Sequence, residues 1–123
     1  PIIEPEVNIN SAQKAQAEEI LKVTLLKHLN ALSDDQNIML KLSIPTQANL
    51  YQELTKHPRV IKIVALSGGY SRDEANKLLA QNTGVIASFS RALTEGLSDK
   101  QSDSDFDSTL NTTIQSIYEA SIK

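Results

Sequence analysis

Four apolar runs punctuate the chain, at 1–7, 38–44, 60–66 and 85–90, and a stretch of helix-forming residues follows each of them. This alternation constrains the fold more than any other feature. Strands separated by helices at this spacing predict a parallel sheet with crossover helices, hence an α/β fold. The second run, IMLKLSIP at 38–45, is the most unusual of the four, because one lysine, Lys41, sits in the middle of it. It reads as a strand buried on both faces, and Pro45 ends it.

Taken in order, PIIEPEV at 1–7 reads as a short strand leading to a turn at Asn8-Ile9-Asn10. From Ser11 to Leu32 there is no Gly or Pro. Ala17, Ile20, Leu21, Leu25, Leu29 and Leu32 recur at helical steps, which predicts an amphipathic helix capped by Ser11 or Asn10. A short helix is predicted from Asn49 to Lys56, closed by His57-Pro58. VIKIVAL at 60–66 is the most strand-prone stretch. Ser71 predicts the cap of a helix running to about Gln81, with Asp73 and Glu74 in the first turn where the helix dipole favours acids. Asn82-Thr83-Gly84 closes it, VIASFS at 85–90 is the fourth strand, and Arg91 to Leu97 is a short helical segment. The last helix is predicted over 102–121, with Phe106, Leu110, Ile114, Ile117 and Tyr118 on its apolar face.

Two architectures accommodate this order. One is a small open doubly wound sheet. The other is half of a (β/α)₈ barrel: eight units take about 250 residues, and this chain has four units in 123. The chain enters a strand at Pro1 with no preceding cap, so the expectation is a single domain, 1–123, forming a half-barrel cut from a longer chain. A net charge of −3 provides no basic field for nucleic acid or an acidic membrane. There is no cysteine, hence no disulfide or thiolate metal site. His28 and His57 lie on segments of different type, and no metal site is expected. No apolar run approaches the ~20 residues of a membrane span, and no signal peptide is visible. A cytoplasmic protein is the default expectation.

Four groups of residues could carry chemistry. Met39, Lys41 and Ser43 share one strand face, and Ile38, Leu40, Leu42 and Ile44 the other. The aliphatic face should meet helices, so Lys41 should point into a barrel interior or a pocket. A desolvated lysine is an available amine nucleophile; the alternative is a lysine snorkelling from an edge strand to water. Glu4 and Glu6, two apart on a strand, point to one face and could serve as general acid and base, or simply hydrogen-bond at a strand end. LSGGYS at 66–71 places two glycines between a strand and a capped helix. It is a candidate phosphate cradle through Ser67 and Gly68, or a plain tight turn. In SFSR at 88–91, Arg91 is placed to clamp a phosphate beside Ser90. All four groups fall within strands or at their C-terminal ends, where such folds place active sites.

Together, IIEPEV at 2–7, MLKLSIP at 39–45, LSGGYS at 66–71 and SFSRAL at 88–93 resemble, in order and spacing, the C-terminal part of class I fructose-bisphosphate aldolases, most closely their shorter bacterial form. The resemblance covers essentially the whole chain. It implies the C-terminal half of a TIM (β/α)₈ barrel. It also implies that Lys41 forms an imine with the ketone of dihydroxyacetone phosphate or fructose 1,6-bisphosphate. Glu4 then matches the glutamate that shuttles protons, and Glu6 the neighbour that helps organise the site. Ser67 and Gly68 match the loop that holds the ketone-side phosphate, and Arg91 the arginine that closes on it. The family's other branch has a longer Ser-x-Gly-Arg pattern where this chain has Ser88-Phe89-Ser90-Arg91; Ser90 is expected to take the glycine's place through its backbone N–H. The iminium is the electron sink, so the resemblance implies no metal and no cofactor.

The family's first-strand aspartate and second active-site lysine would come from strands before Pro1. The chain alone is therefore expected to have little or no activity, and its open edges are expected to pair with the missing N-terminal half or with a second copy. A Schiff-base aldolase acting on a shorter phosphorylated sugar is the alternative within the fold. A non-catalytic phosphate-ligand-binding α/β module is the alternative outside enzymes.

Overall fold

A computed structural model describes all 123 residues, Pro1–Lys123. The elements run β1 (Ile2–Ile3), α1 (Lys14–Leu29), β2 (Ile38–Ser43), α2 (Gln52–Thr55), β3 (Val60–Leu66), α3 (Arg72–Leu79), β4 (Val85–Ala87), α4 (Arg91–Thr94) and α5 (Asp103–Ser121). The strands form one sheet in the order β1-β2-β3-β4, and every pair is parallel. The mixed α/β fold with a parallel sheet is as the alternation predicts. The strand order never reverses, so there is no switch point of the doubly wound kind.

The two faces of the sheet differ. Leu40, Leu42 and Ile44, with Ile63, Ala65 and Val85, join Leu29, Leu54, Ala75, Leu79 and Ala120 from the helical layer in one apolar core. Burying these side chains is the main source of stability, at about 25 cal/mol per Å² removed from water. The other face is more open: Ile2 is exposed, and Met39, Lys41 and Lys62 are partly open to solvent. The predicted division of β2 into an aliphatic and a Lys41 face therefore holds. No helix is long and apolar enough to cross a membrane.

Several elements are shorter than predicted, each for a local reason. β1 stops at Ile3, because Pro5 has no N–H to give a ladder. The segment beyond it is held by a side chain instead: the Val7 N–H donates to Ser43 Oγ at 2.9 Å, and that hydroxyl donates back to the Val7 carbonyl at 3.0 Å. α1 begins at Lys14, and neither Ser11 nor Asn10 is its cap. Ser11 forms a separate turn, its Oγ accepting from Gln13 N–H and its carbonyl from Lys14 N–H. The far end tightens into i→i+3 bonds from Ala31 to His28 and Leu32 to Leu29.

α2 starts late because Asn49 is left-handed, with φ 62°, a region Asn tolerates. The Asn49 N–H donates to Asn82 Oδ1, and the Thr83 N–H donates to Asn49 Oδ1. β3 has its predicted bounds, and Ser71 caps α3 in a capping box with Glu74. β4 ends at Ala87, though Ser88 N–H still donates to the Ala65 carbonyl at 2.7 Å.

On α5 the inward face differs from the predicted one. Thr113 and Ala120 are buried, while Ile114 and Tyr118 are exposed. Small polar residues make this packing: Asn76 Nδ2 donates to Ser116 Oγ, and Ser121 Oγ accepts from Ala87 N–H. Ile114 and Tyr118 instead line an apolar groove of about 480 Å³ with Ile86, Leu93 and Ile122 beside β4. A second groove, about 270 Å³, lies at the opposite edge among Ile3, Leu25, Leu32 and Ile38.

Candidate active site

At the C-terminal ends of the strands the chain forms a polar cleft of about 160 Å³. It is lined by Glu4, Glu6, Lys41, Leu66, Ser67, Gly68, Ser88, Ser90 and Arg91. All seven residues singled out in the sequence lie in this one cleft. They come from four segments as far apart as Glu4 and Arg91, and parallel pairing brings them together by putting every strand's C-terminal end on the same side.

Lys41 and Glu4 meet directly. Lys41 projects from the open face of β2, and its Nζ lies 2.9 Å from Glu4 Oε2. The register explains the meeting: Ile2 pairs with Met39 and Ile3 with Leu40, so Glu4 emerges beside Lys41. About 29% of the Lys41 side chain and 53% of the Glu4 side chain remain in water. The enclosure expected from a strand buried on both faces is therefore incomplete on the lysine side. Glu6 is exposed on the same cleft wall and holds no ion pair. Lys62, paired with Met39, stands one row back on that face.

The anion-friendly wall is built from backbone. Ser67 is buried, and its carbonyl accepts from Tyr70 N–H at 3.0 Å to close a turn. Gly68 has φ +63°, and a Cβ there would lie 2.9 Å from Ile9 Cγ2. A side chain at this position is therefore disfavoured on two grounds, backbone conformation and space. The N–H groups of Gly68, Gly69 and Ser90 donate to no protein acceptor. Arg91 has no carboxylate within 4 Å, and its guanidinium faces Gly69, 3.8 Å from where a Cβ would stand. Ser88 and Ser90 both line the cleft, but the Ser88 N–H is committed to Ala65. Of the two serines, Ser90 is the one whose amide bonds no protein acceptor.

One polar constellation escaped the sequence reading. Lys14 is 6% and Glu18 0% exposed, and they are ion-paired inside the protein. Lys14 Nζ also donates to the Ile44 carbonyl at 2.8 Å and to Thr46 Oγ1 at 3.1 Å, while Glu18 Oε2 accepts from Thr46 N–H at 2.9 Å. The signal was present: positions 14 and 18 are in phase with 21, 25 and 29 on the inward stripe. Tyr51, 2% exposed, places its hydroxyl nearby with no hydrogen-bond partner. Burial, with the negative charges of Glu18 and Glu19, pushes its phenol well above the ordinary range.

No protein-family model matches the chain. Over 122 residues, 99% of its length, the chain is 57% identical to the protein named fructose-bisphosphate aldolase class 1 from Synechocystis sp.. It spans about 41% of that protein's length. The resemblance read from the four motifs is thereby borne out over nearly every residue.

Proposed function

We infer that this chain is the C-terminal half-barrel, one domain over 1–123, of a class I fructose-bisphosphate aldolase. The full-length chain cleaves fructose 1,6-bisphosphate reversibly to dihydroxyacetone phosphate and glyceraldehyde 3-phosphate, in glycolysis or gluconeogenesis in the cytoplasm. The observation that carries this reading is the single cleft in which a lysine, two carboxylates and a set of anion donors converge. Its strongest outside support is the 57% identity to a protein of that name.

The mechanism follows from amine chemistry. Lys41 Nζ adds to the substrate ketone carbon. Loss of water then gives an iminium, with Glu4, already 2.9 Å from Nζ, taking and returning the protons. A carboxylate removes the proton of the C4 hydroxyl, and the C3–C4 bond breaks. Its electron pair flows into the iminium to give an enamine, and the aldehyde product leaves. Protonation of the enamine at C3 and hydrolysis of the resulting iminium release dihydroxyacetone phosphate and regenerate the amine. Glu6 keeps the cleft acidic beside Glu4. The ketone-side phosphate is held by the Ser67 hydroxyl, the amides of Gly68 and Ser90, and Arg91.

The half-barrel reading is supported by a strand order without reversal, a core on one sheet face and an apolar groove at each edge. Those edges are where the N-terminal half docks in the full-length chain, or a second copy when the half stands alone. Sedimentation of the 123-residue chain should reveal self-association that rises with concentration; a monomer at every concentration argues against open edges.

Borohydride trapping with dihydroxyacetone phosphate, read by peptide mass, tests the chemistry. The full-length chain should form an adduct at Lys41. The half-barrel alone, with its cleft open to water and its partner strands missing, should trap little and turn over little. No adduct in either would overturn the aldolase reading and favour a phosphate-binding module.

A further inference from the structure

We propose that the buried Lys14–Glu18 pair is a positioning device for the Lys41–Glu4 couple, acting through the C-terminal end of β2. The proposal rests on the reading of Lys41 and Glu4 given under Proposed function.

The segment that carries Glu4 and Glu6 is poorly tethered. Its ladder is two residues long. Beyond Ile3 it is tied down by the Lys41–Glu4 pair, by the two bonds between Val7 and Ser43, and by Ile9 against Gly68. Two of these three ties end on β2. Where β2 ends therefore decides where both carboxylates stand relative to the lysine.

Lys14 and Glu18 fix that end. Lys14 is the first residue of α1, the next element after the carboxylate segment. Its ammonium grips the Ile44 carbonyl and the Thr46 hydroxyl, and Glu18 grips the Thr46 N–H. Three bonds thus join the start of α1 to the exit of the lysine strand, and a fourth, inside the pair, holds their two donor and acceptor groups together. An apolar residue of similar size would fill the same space, and buried ion pairs are often no more stabilising than such replacements. Packing alone does not account for the pair, whereas orientation of a nearby reactive couple does.

Two double variants of the full-length enzyme separate these accounts. Lys14→Met with Glu18→Leu keeps volume and removes the bonds. Lys14→Gln with Glu18→Gln removes the charges and keeps a donor toward Ile44 and an acceptor for Thr46. In the Met/Leu variant kcat should fall about 10- to 100-fold, as expected when reacting groups are misplaced by about an ångström. KM should stay within about threefold, because the phosphate wall is untouched. The melting temperature should stay within about 4 °C of the parent. The Gln/Gln variant should recover most of kcat. Hydrogen exchange at the Val7 amide, bonded to Ser43, should accelerate in the Met/Leu variant and not in the other. A Met/Leu variant with unchanged kcat and unchanged Val7 exchange overturns the positioning role while leaving the aldolase reading intact. Absence of a Lys41 adduct in the unmodified full-length chain overturns the aldolase reading itself.

Discussion

Two lysine–glutamate pairs lie on opposite sides of β2, and they are built for different ends. Lys14–Glu18 is sealed, at 8% and 0% side-chain exposure. Its partners beyond the pair are all protein: a carbonyl, a hydroxyl and an amide. Lys41–Glu4 has the same chemistry but is held at 29% and 53% exposure. Its neighbours Ser67, Ser90 and Arg91 share the same cleft. The sealed pair has little capacity left for a ligand, whereas the open one keeps room and unused donors beside it. Identical residue types are thus set apart by solvent access and by what else they touch, and under the proposed function one pair serves architecture and the other chemistry.

Removing one partner from each pair breaks the comparison most sharply. Glu18→Ala strands an ammonium among buried groups, and a loss of about 3–5 kcal/mol is expected, a large part of the ~5–15 kcal/mol that holds a domain together. Glu4→Ala removes a half-exposed partner and should cost no more than about 1 kcal/mol. Urea unfolding of the two variants of the full-length chain measures both. Equal losses would contradict the division. Salt sharpens it at a smaller scale. A double-mutant cycle on Lys41 and Glu4 should lose most of its coupling between low salt and about 1 M, where the Debye length is ~3 Å. The cycle on Lys14 and Glu18 should change little, because no electrolyte reaches them.

The open pair was legible in the sequence and the sealed one was not, and the reason is physical. A lysine inside IMLKLSIP contradicts its surroundings, so Lys41 draws attention whatever its fold. Glu4 and Glu6 flank a proline in an apolar run, and Ser67-Gly68-Gly69 and Ser90-Arg91 follow strand-forming residues. Parallel alternation then requires all of them to finish on one side of the sheet. Lys14 and Glu18 stand in KAQAEEILK, where an i,i+4 pair is ordinary on the surface of a helix. Only their phase with Leu21, Leu25 and Leu29 distinguishes them, and Ile20, exposed in the fold, blurs that phase. Element ends were misplaced where a side chain replaced the backbone pattern. Ser43 holds Val7 after the ladder stops, Ser11 closes a turn of its own, and Ser116 and Ser121 set the inward face of α5.

The smallest effect comes from Tyr51, the residue that borders the sealed pair without joining it. Its hydroxyl is buried and unpartnered, so Tyr51→Phe gives up no hydrogen bond. Relief of a buried unsatisfied group, worth about 1–3 kcal/mol, is offset by loss of packing around the missing oxygen. The stability near pH 7 should therefore move by no more than about 1 kcal/mol in either direction. The difference emerges in alkali. Burial and the charges of Glu18 and Glu19 raise the folded phenol above its ordinary value of 10.0. Above that pH the unfolded chain gives up a proton that the folded chain retains, so the unfolded state is favoured progressively. The contribution is intact below pH 10.0 and falls as pH rises from there toward the folded phenol's own titration. Tyr51→Phe removes this loss, so its stability curve should run parallel to the parent's at neutral pH and diverge above it in alkali. Curves that stay parallel through alkali would place the phenol in contact with water, and would mean that the sealed side of β2 is less sealed than its pair of charges requires.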